Sequence, residues 1–166
     1  MAEKTKNKPV AADEEILDFS EVRPFEPLDS SIVYLVKTSN LEKQMSSTGK
    51  KMAVAEMTIV APKECRVENW EPDEEGNLVF VGLSDRTIKC VGRKLFRNFT
   101  LEPQALPFLY NYLKAMDPDV ELNEAFRFRP AEWVGLQLAV KGPNEAYNEQ
   151  VRLRPTNVYP TSRFKG

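Results

Sequence analysis

From residue 31 onward, apolar and polar positions alternate in short runs broken by turn residues, a pattern of β-strands rather than helices. Residues 32–39 are β-branched and aromatic and predict a first strand, followed by a polar connection over 40–51 with Gly49 near its end. Residues 52–60 predict a second strand closed by Pro62. Residues 66–70 and 78–81 flank the acidic, Gly- and Asn-containing cluster 73–77, which predicts an added hairpin. Residues 86–99 predict one further extended run, with Gly92 marking a bulge where it bends. A helix is expected next, with Thr100 as cap, Pro103 inside the start, and Leu106, Leu109, Tyr110 and Leu113 at helical spacing. Asp117 and Pro118 end it. Residues 134–140 predict a strand, 142–146 a turn, and 150–158 a closing strand.

This order is three strands, a helix and two strands, with a hairpin inserted before the third strand. It predicts a mainly β chain: a five-stranded OB-type barrel with one helix between strands three and four. A β-sandwich and an open α+β sheet are the alternatives. The domain is expected over 29–160, with the inserted hairpin at about 65–83. Residues 1–28 read as a flexible acidic tail and 161–166 as a C-terminal tail. Within the first tail, residues 14–26 alternate acids with large apolar groups, as a docking segment would.

Composition narrows the chemistry. The chain has 166 residues and no histidine, so the usual general base and the commonest metal ligand are both missing. Two cysteines, Cys65 and Cys90, suit a reducing compartment and are too few for a zinc site of their own. No phosphate-binding glycine loop or nucleophile elbow is present, so an enzyme, a metal and a cofactor are not expected. No apolar run is long enough to span a membrane, and the lysines at 4, 6 and 8 lack the apolar stretch of a secretory signal. A cytoplasmic protein is expected. The net charge of −2 conceals a gradient. Residues 1–30 carry four basic and eight acidic side chains, residues 31–85 six and nine, and residues 86–166 thirteen and eight. An anionic partner is therefore best met by the C-terminal half.

A single-stranded nucleic acid needs cations for phosphates and aromatic faces for unstacked bases. On the run 93–99, Arg93, Leu95, Arg97 and Phe99 share one face, and Lys94, Phe96 and Asn98 share the other. One face must enter the core, so not every ring here can meet a base. In the run 126–129, Phe126 and Phe128 fall on one side and Arg127 and Arg129 on the other. Arg152 and Arg154 share a face of the last strand, ahead of Tyr159, Arg163 and Lys165. Lys43, Lys50 and Lys51 surround the first loop. Tyr34, Phe99, Trp133 and Tyr147 are the candidates to stack on bases. The acidic cluster at 71–75 reads as a solvated hairpin tip.

The segments Gly49-Lys50-Lys51-Met52 and the Gly92 to Leu101 run (Gly-Arg-Lys-Leu-Phe-Arg-Asn-Phe-Thr-Leu) carry a resemblance, as does the helix opening on Pro103-Gln104-Ala105-Leu106. So do Trp133-Val134-Gly135 and the stretch from Tyr147 to Arg152. Together, over about 31–158, these resemble a family of phage-encoded OB-type single-stranded DNA-binding proteins, found with replication and recombination genes. The hairpin at 65–83 and the acidic N-terminal segment depart from that pattern. The resemblance implies single-stranded DNA as partner, bound without sequence preference so that strands are protected or presented. It further implies phage recombination or replication proteins as further partners, the cytoplasm of an infected bacterium as location, and homo-oligomers. A protein-interaction module, an adaptor or inhibitor acting through the acidic tail and inserted hairpin, is the alternative.

Overall fold

The computed structural model describes residues 15–17, 26–147 and 150–165. Among these residues nine strands form: β1 (Tyr34–Met45), β2 (Lys51–Ala61), β3 (Glu64–Pro72), β4 (Leu78–Lys89), β5 (Lys94–Thr100), β6 (Gln137–Lys141), β7 (Asn144–Tyr147), β8 (Gln150–Leu153) and β9 (Asn157–Tyr159). One helix, α1 (Leu106–Met116), lies between β5 and β6 in the chain. Five strands build a curled antiparallel sheet, a half-barrel, in the order β5-β2-β1-β6-β9. The β3–β4 and β7–β8 pairs are separate two-stranded ribbons.

The period-two pattern of β2 explains the half-barrel's core. Ala53, Ala55, Met57 and Ile59 point inward and are buried, while Val54, Glu56 and Thr58 between them face outward. The two alanines lie opposite Phe99 and Arg97 of β5, and their small size leaves room for those long side chains. α1 covers the concave side with Leu109, Tyr112, Leu113 and Ala115. Tyr112 stacks on Phe99 at 4.9 Å between centroids, and its hydroxyl bonds the buried Thr38 hydroxyl of β1. Burial pushes the Tyr112 phenol up to about 12, so it stays neutral and available for that bond.

Several boundaries differ from the sequence expectation. β1 continues through the polar residues 40–45, past a register shift at Ser39, and the expected long loop shrinks to the turn 46–50. There Gly49, at φ +84°, satisfies a left-handed position that side chains disfavour. Gly92 is not a bulge within a strand. It occupies the positive-φ position of a tight turn closed by Arg93 N–H donating to Cys90 O, so β4 and β5 are separate strands. Thr100 does not cap α1. Pro103–Ala105 form a 3-10 turn, and the helix starts at Leu106 with Pro107 in its first turn, where a missing N–H leaves no bond unmade. The closing strand breaks at Pro155: β8 pairs back on β7, which was expected to be a turn, and β9 pairs with β6. Near this break Gly142 lies so close to the Arg154 carbonyl that a Cβ would collide with it.

The domain also begins earlier than 29. Leu28 is buried and bridges Val67, Pro27 O accepts Glu68 N–H, and Arg86 pairs with Glu26. Ile16 and Leu17 are exposed, and the rest of the expected docking segment up to residue 25 lies outside the described residues. At the other end, Thr161–Arg163 form a 3-10 turn in the stretch read as a tail. Cys65 and Cys90 are free and buried, and Cys90 Sγ donates to Pro62 O at 3.0 Å. Burial, reinforced by Cys65, pushes the Cys90 thiol up to about 12.

One buried carboxylate joins the parts outside the main sheet. Glu68 of β3 accepts hydrogen bonds from Ser30 N–H at 2.7 Å, the Ser30 hydroxyl, Trp70 Nε1 at 3.0 Å and Asn144 Nδ2 at 2.8 Å. Asn144 Nδ2 also donates to Leu28 O at 2.6 Å. Burial would raise this carboxyl, but the donors outweigh burial and hold it below its ordinary 4.5. Because the folded value is depressed, the stabilisation is complete above pH 4.5 and is lost as pH falls below it. Glu68→Ala should lower unfolding free energy by about 2–4 kcal/mol in urea titration, since it strands four donor groups of three residues. In Glu68→Gln, the loss of stability between neutral pH and pH 4 should be smaller than in the parent chain.

Candidate nucleic-acid interface

The rule that one face of β5 enters the core decides which rings are available. Leu95 and Phe99 are buried on the inner face, so Phe99 is a core residue and not a surface for a base. Trp133, 6% exposed and edge-on to Phe126, and Tyr34, fully buried with its hydroxyl donating to Asp29 O, are likewise removed from the list of stacking candidates. The physical reason is common to all three: large rings are what the half-barrel uses to fill its interior. Burial also pushes the Tyr34 phenol far above its usual range.

The outer face of β5 instead presents Phe96, 51% exposed, between Lys94 and Asn98. Alternation already placed Phe96 opposite Phe99, and only the assignment of the inner face was needed to find it. Phe96 lies opposite Glu56 of β2, and Lys94 Nζ pairs with Glu56 at 3.1 Å. The bonds from the Ser39 hydroxyl and from Lys94 lower the Glu56 carboxyl, keeping it charged.

Arg97 has a structural task. It projects inward from β5 at the open edge of the sheet and donates to Pro155 O at 3.2 Å and Thr156 O at 3.1 Å. No ladder joins β5 to β9, so this guanidinium bridges the seam of the half-barrel. It stands 4.8 Å from the Phe99 centroid and 5.9 Å from that of Phe108. Burial, then nearby Arg154, lowers its proton affinity, the mark of a cation partly withdrawn from water. Above the seam run two adjoining grooves of about 390 and 290 Å³ that share Arg97, Phe108 and Thr156. Asn98 and Arg154 line one, Asn111, Lys114 and Tyr159 the other. Phe108, on the exposed side of α1, is 57% exposed and is a second ring that sequence reasoning missed. Its position in a helical run that also buries Leu109 and Tyr112 hid it.

Lys94, Phe96 and Asn98 thus form a track on the outer face of β5; Asn98 also lines the seam groove with Phe108 and Arg154, and Tyr159 lines the adjoining one. The turn lysines lie beyond the far end of this track: Lys50 is 3.6 Å from Glu102, and among the described residues Lys51 has no carboxylate partner. From Glu56 to Lys51 is about 17 Å along β2.

The remaining expected residues are dispersed. Arg93 is half-buried, and its guanidinium donates to Glu26 O at 2.9 Å, so it holds the N-terminal arm rather than facing solvent. Arg127 and Arg129 do point outward while Phe126 and Phe128 pack inward, as alternation predicted. They lie near β1, where Lys43 sits over the Phe128 ring at 5.6 Å, two strands away from β5. Arg129 also faces Glu132 at 3.6 Å. Tyr147, 77% exposed, and Arg152, bonded to Gln150, sit on the β7–β8 ribbon. Arg154 pairs with Glu145 at 3.0 Å.

Among the described residues no group of three or more Cys, Asp or Glu side chains is placed to hold a metal ion, and no helix is long and apolar enough to cross a membrane. No protein-family model matches the chain, and no curated protein matches it at a significant level.

Removing the seam bridge should be felt locally. Arg97→Ala should speed amide hydrogen exchange in β5 and β9 and lower stability by about 1–2 kcal/mol. Phe96→Ala, on the exposed face, should change stability by less than about 0.5 kcal/mol. Unchanged exchange in Arg97→Ala would mean that the seam is held by other contacts.

Proposed function

We propose that this chain is a non-sequence-specific single-stranded DNA-binding protein and that the strand follows β5 and the seam. The observation that carries the reading is the half-exposed Phe96 beside Lys94 on the outer face of a curled β-sheet. An apolar ring left open to water on a sheet face is the group on which an unstacked base gains most, by about 1–3 kcal/mol. Phe108 and Tyr159 extend the aromatic surface, Arg154 is a cation on it, and Lys50 and Lys51 lie beyond its far end. The strand order β5-β2-β1-β6-β9, with α1 between β5 and β6, supports treating the half-barrel as an OB-type domain. The phage replication and recombination context, and a cytoplasmic location, come from the sequence resemblance alone.

Three of the cations on and around this track pair with acids of the same chain, which sets an expectation for mechanism. Lys94, Lys50 and Arg154 each have a carboxylate within 4 Å. A phosphate must compete with these partners, so affinity should lean on stacking more than on charge. The alternative, a protein-interaction module, draws on the exposed apolar side chains of the β3–β4 ribbon.

Fluorescence anisotropy with labelled oligo-dT, at two salt concentrations and beside a duplex of equal length, tests the reading. Single-strand binding that weakens with salt is expected. Phe96→Ala should weaken it by about 1–3 kcal/mol without altering its salt dependence. Lys51→Ala should instead reduce the slope of log K against log salt by about 0.7. Absence of binding at low salt would overturn the proposal.

A further inference from the structure

The two seam grooves carry positive charge that the chain itself does not cancel. Arg97, Lys114 and Arg154 line them, and no aspartate or glutamate does. Arg97 is bonded to Pro155 O and Thr156 O, both times through Nη1, so Nη2 and Nε have no acceptor among the described residues. Lys114 Nζ is likewise held by carbonyls, Val120 O at 2.7 Å and Pro118 O at 3.3 Å. A carbonyl satisfies a donor without neutralising it, and among the described residues neither cation has a carboxylate within 4 Å. Arg154 does pair, with Glu145 at 3.0 Å, but both side chains are half-exposed and such a pair contributes little. Arg154 directly precedes the two residues whose carbonyls Arg97 bonds, which brings both guanidiniums to one groove. Their repulsion adds to burial in lowering the proton affinity of Arg97.

An anion between the two guanidiniums relieves that repulsion, and the surrounding groups say which anion. Arginine takes phosphate through paired N–H to oxygen bonds. A phosphate monoester offers three free oxygens and a charge of about −2 at neutral pH, whereas the diester inside a strand offers two and about −1. Two guanidiniums match the monoester. Beside them stands Phe108, 57% exposed and 5.9 Å from the Arg97 guanidinium, with a ring open to a flat partner. Asn98 and Asn111 add amides that can meet a base edge or a sugar hydroxyl. At about 390 and 290 Å³ the grooves fall at the small end of the range for small-molecule sites. We infer that the seam grooves hold the phosphate monoester of a nucleotide, its phosphate between Arg97 and Arg154 and its base on Phe108, an assignment that rests on the single-strand reading for the choice of a base. The group can come from a free nucleotide or from the phosphorylated end of a strand.

Calorimetric titration of the full chain with thymidine 5′-monophosphate, thymidine and inorganic phosphate reads the site directly. The monophosphate should bind at least about tenfold more tightly than either fragment. Arg154→Gln, at a half-exposed position away from the seam bridge, should remove most of that margin and leave the melting curve unchanged. Phe108→Ala should weaken the monophosphate and leave inorganic phosphate as it was. Arg127→Glu, outside the grooves, should alter none of the three. Anisotropy with oligo-dT ending in hydroxyls, in a 5′-phosphate or in a 3′-phosphate separates the two sources. An end phosphate that tightens binding about tenfold, with the gain lost in Arg154→Gln, assigns the grooves to a strand terminus. No gain, with the monophosphate still bound, assigns them to a free nucleotide. A monophosphate that binds no better than thymidine, or that is indifferent to Arg154→Gln or to Phe108→Ala, overturns the inference, and oligo-dT binding would then still uphold the single-strand reading. A monophosphate bound by a chain that ignores oligo-dT would uphold the site and overturn that reading instead.

Discussion

Burying a carboxylate among apolar side chains is unfavourable unless donors surround it, and at Glu68 four hydrogen bonds from three residues do so. The pieces those donors come from matter more than their number. Ser30 belongs to the N-terminal arm, Trp70 to the β3–β4 ribbon and Asn144 to the β7–β8 ribbon. None of these pieces is a strand of the five-stranded sheet, and none has enough apolar area to hold a position alone. The arrangement is also specific. A shift of any one piece would leave a charge or a donor buried without a partner, so the network selects one packing as well as stabilising it.

The half-barrel is organised differently, by side-chain size across strands. Alanines on β2 face the long inner side chains of β5, α1 closes the concave side, and Arg97 spans the edge that no backbone ladder closes. The same choice has an outward consequence. With Phe99 stacked on Tyr112 inside, the strict alternation of β5 forces Phe96 into solvent beside Lys94. Core packing and surface chemistry on this strand are two readings of one pattern.

Much of this was legible in the sequence. Alternation located most of the strands, the one helix, and the Phe126 to Arg129 segment with its rings in and its cations out. What failed were boundaries and roles set by partners distant in sequence. The polar residues 40–45 are strand because β2 pairs with them, which no local preference announces. Phe99 and Trp133 look the same as binding aromatics until tertiary packing claims them. Arg97 reads as a phosphate ligand because the carbonyls it bonds lie nearly sixty residues away. The charge gradient was real as a count, but local ion pairs quench much of it, and spacing along the chain does not reveal those pairs.

The two thiols carry a practical consequence. Cys65 and Cys90 are enclosed, and Cys90 resists forming the thiolate that reacts with electrophiles. The folded chain thus offers maleimide reagents almost no native target. A cysteine introduced at an exposed turn residue such as Thr48 would take up dye alone, giving a defined reporter without first stripping the protein of its own sulfur.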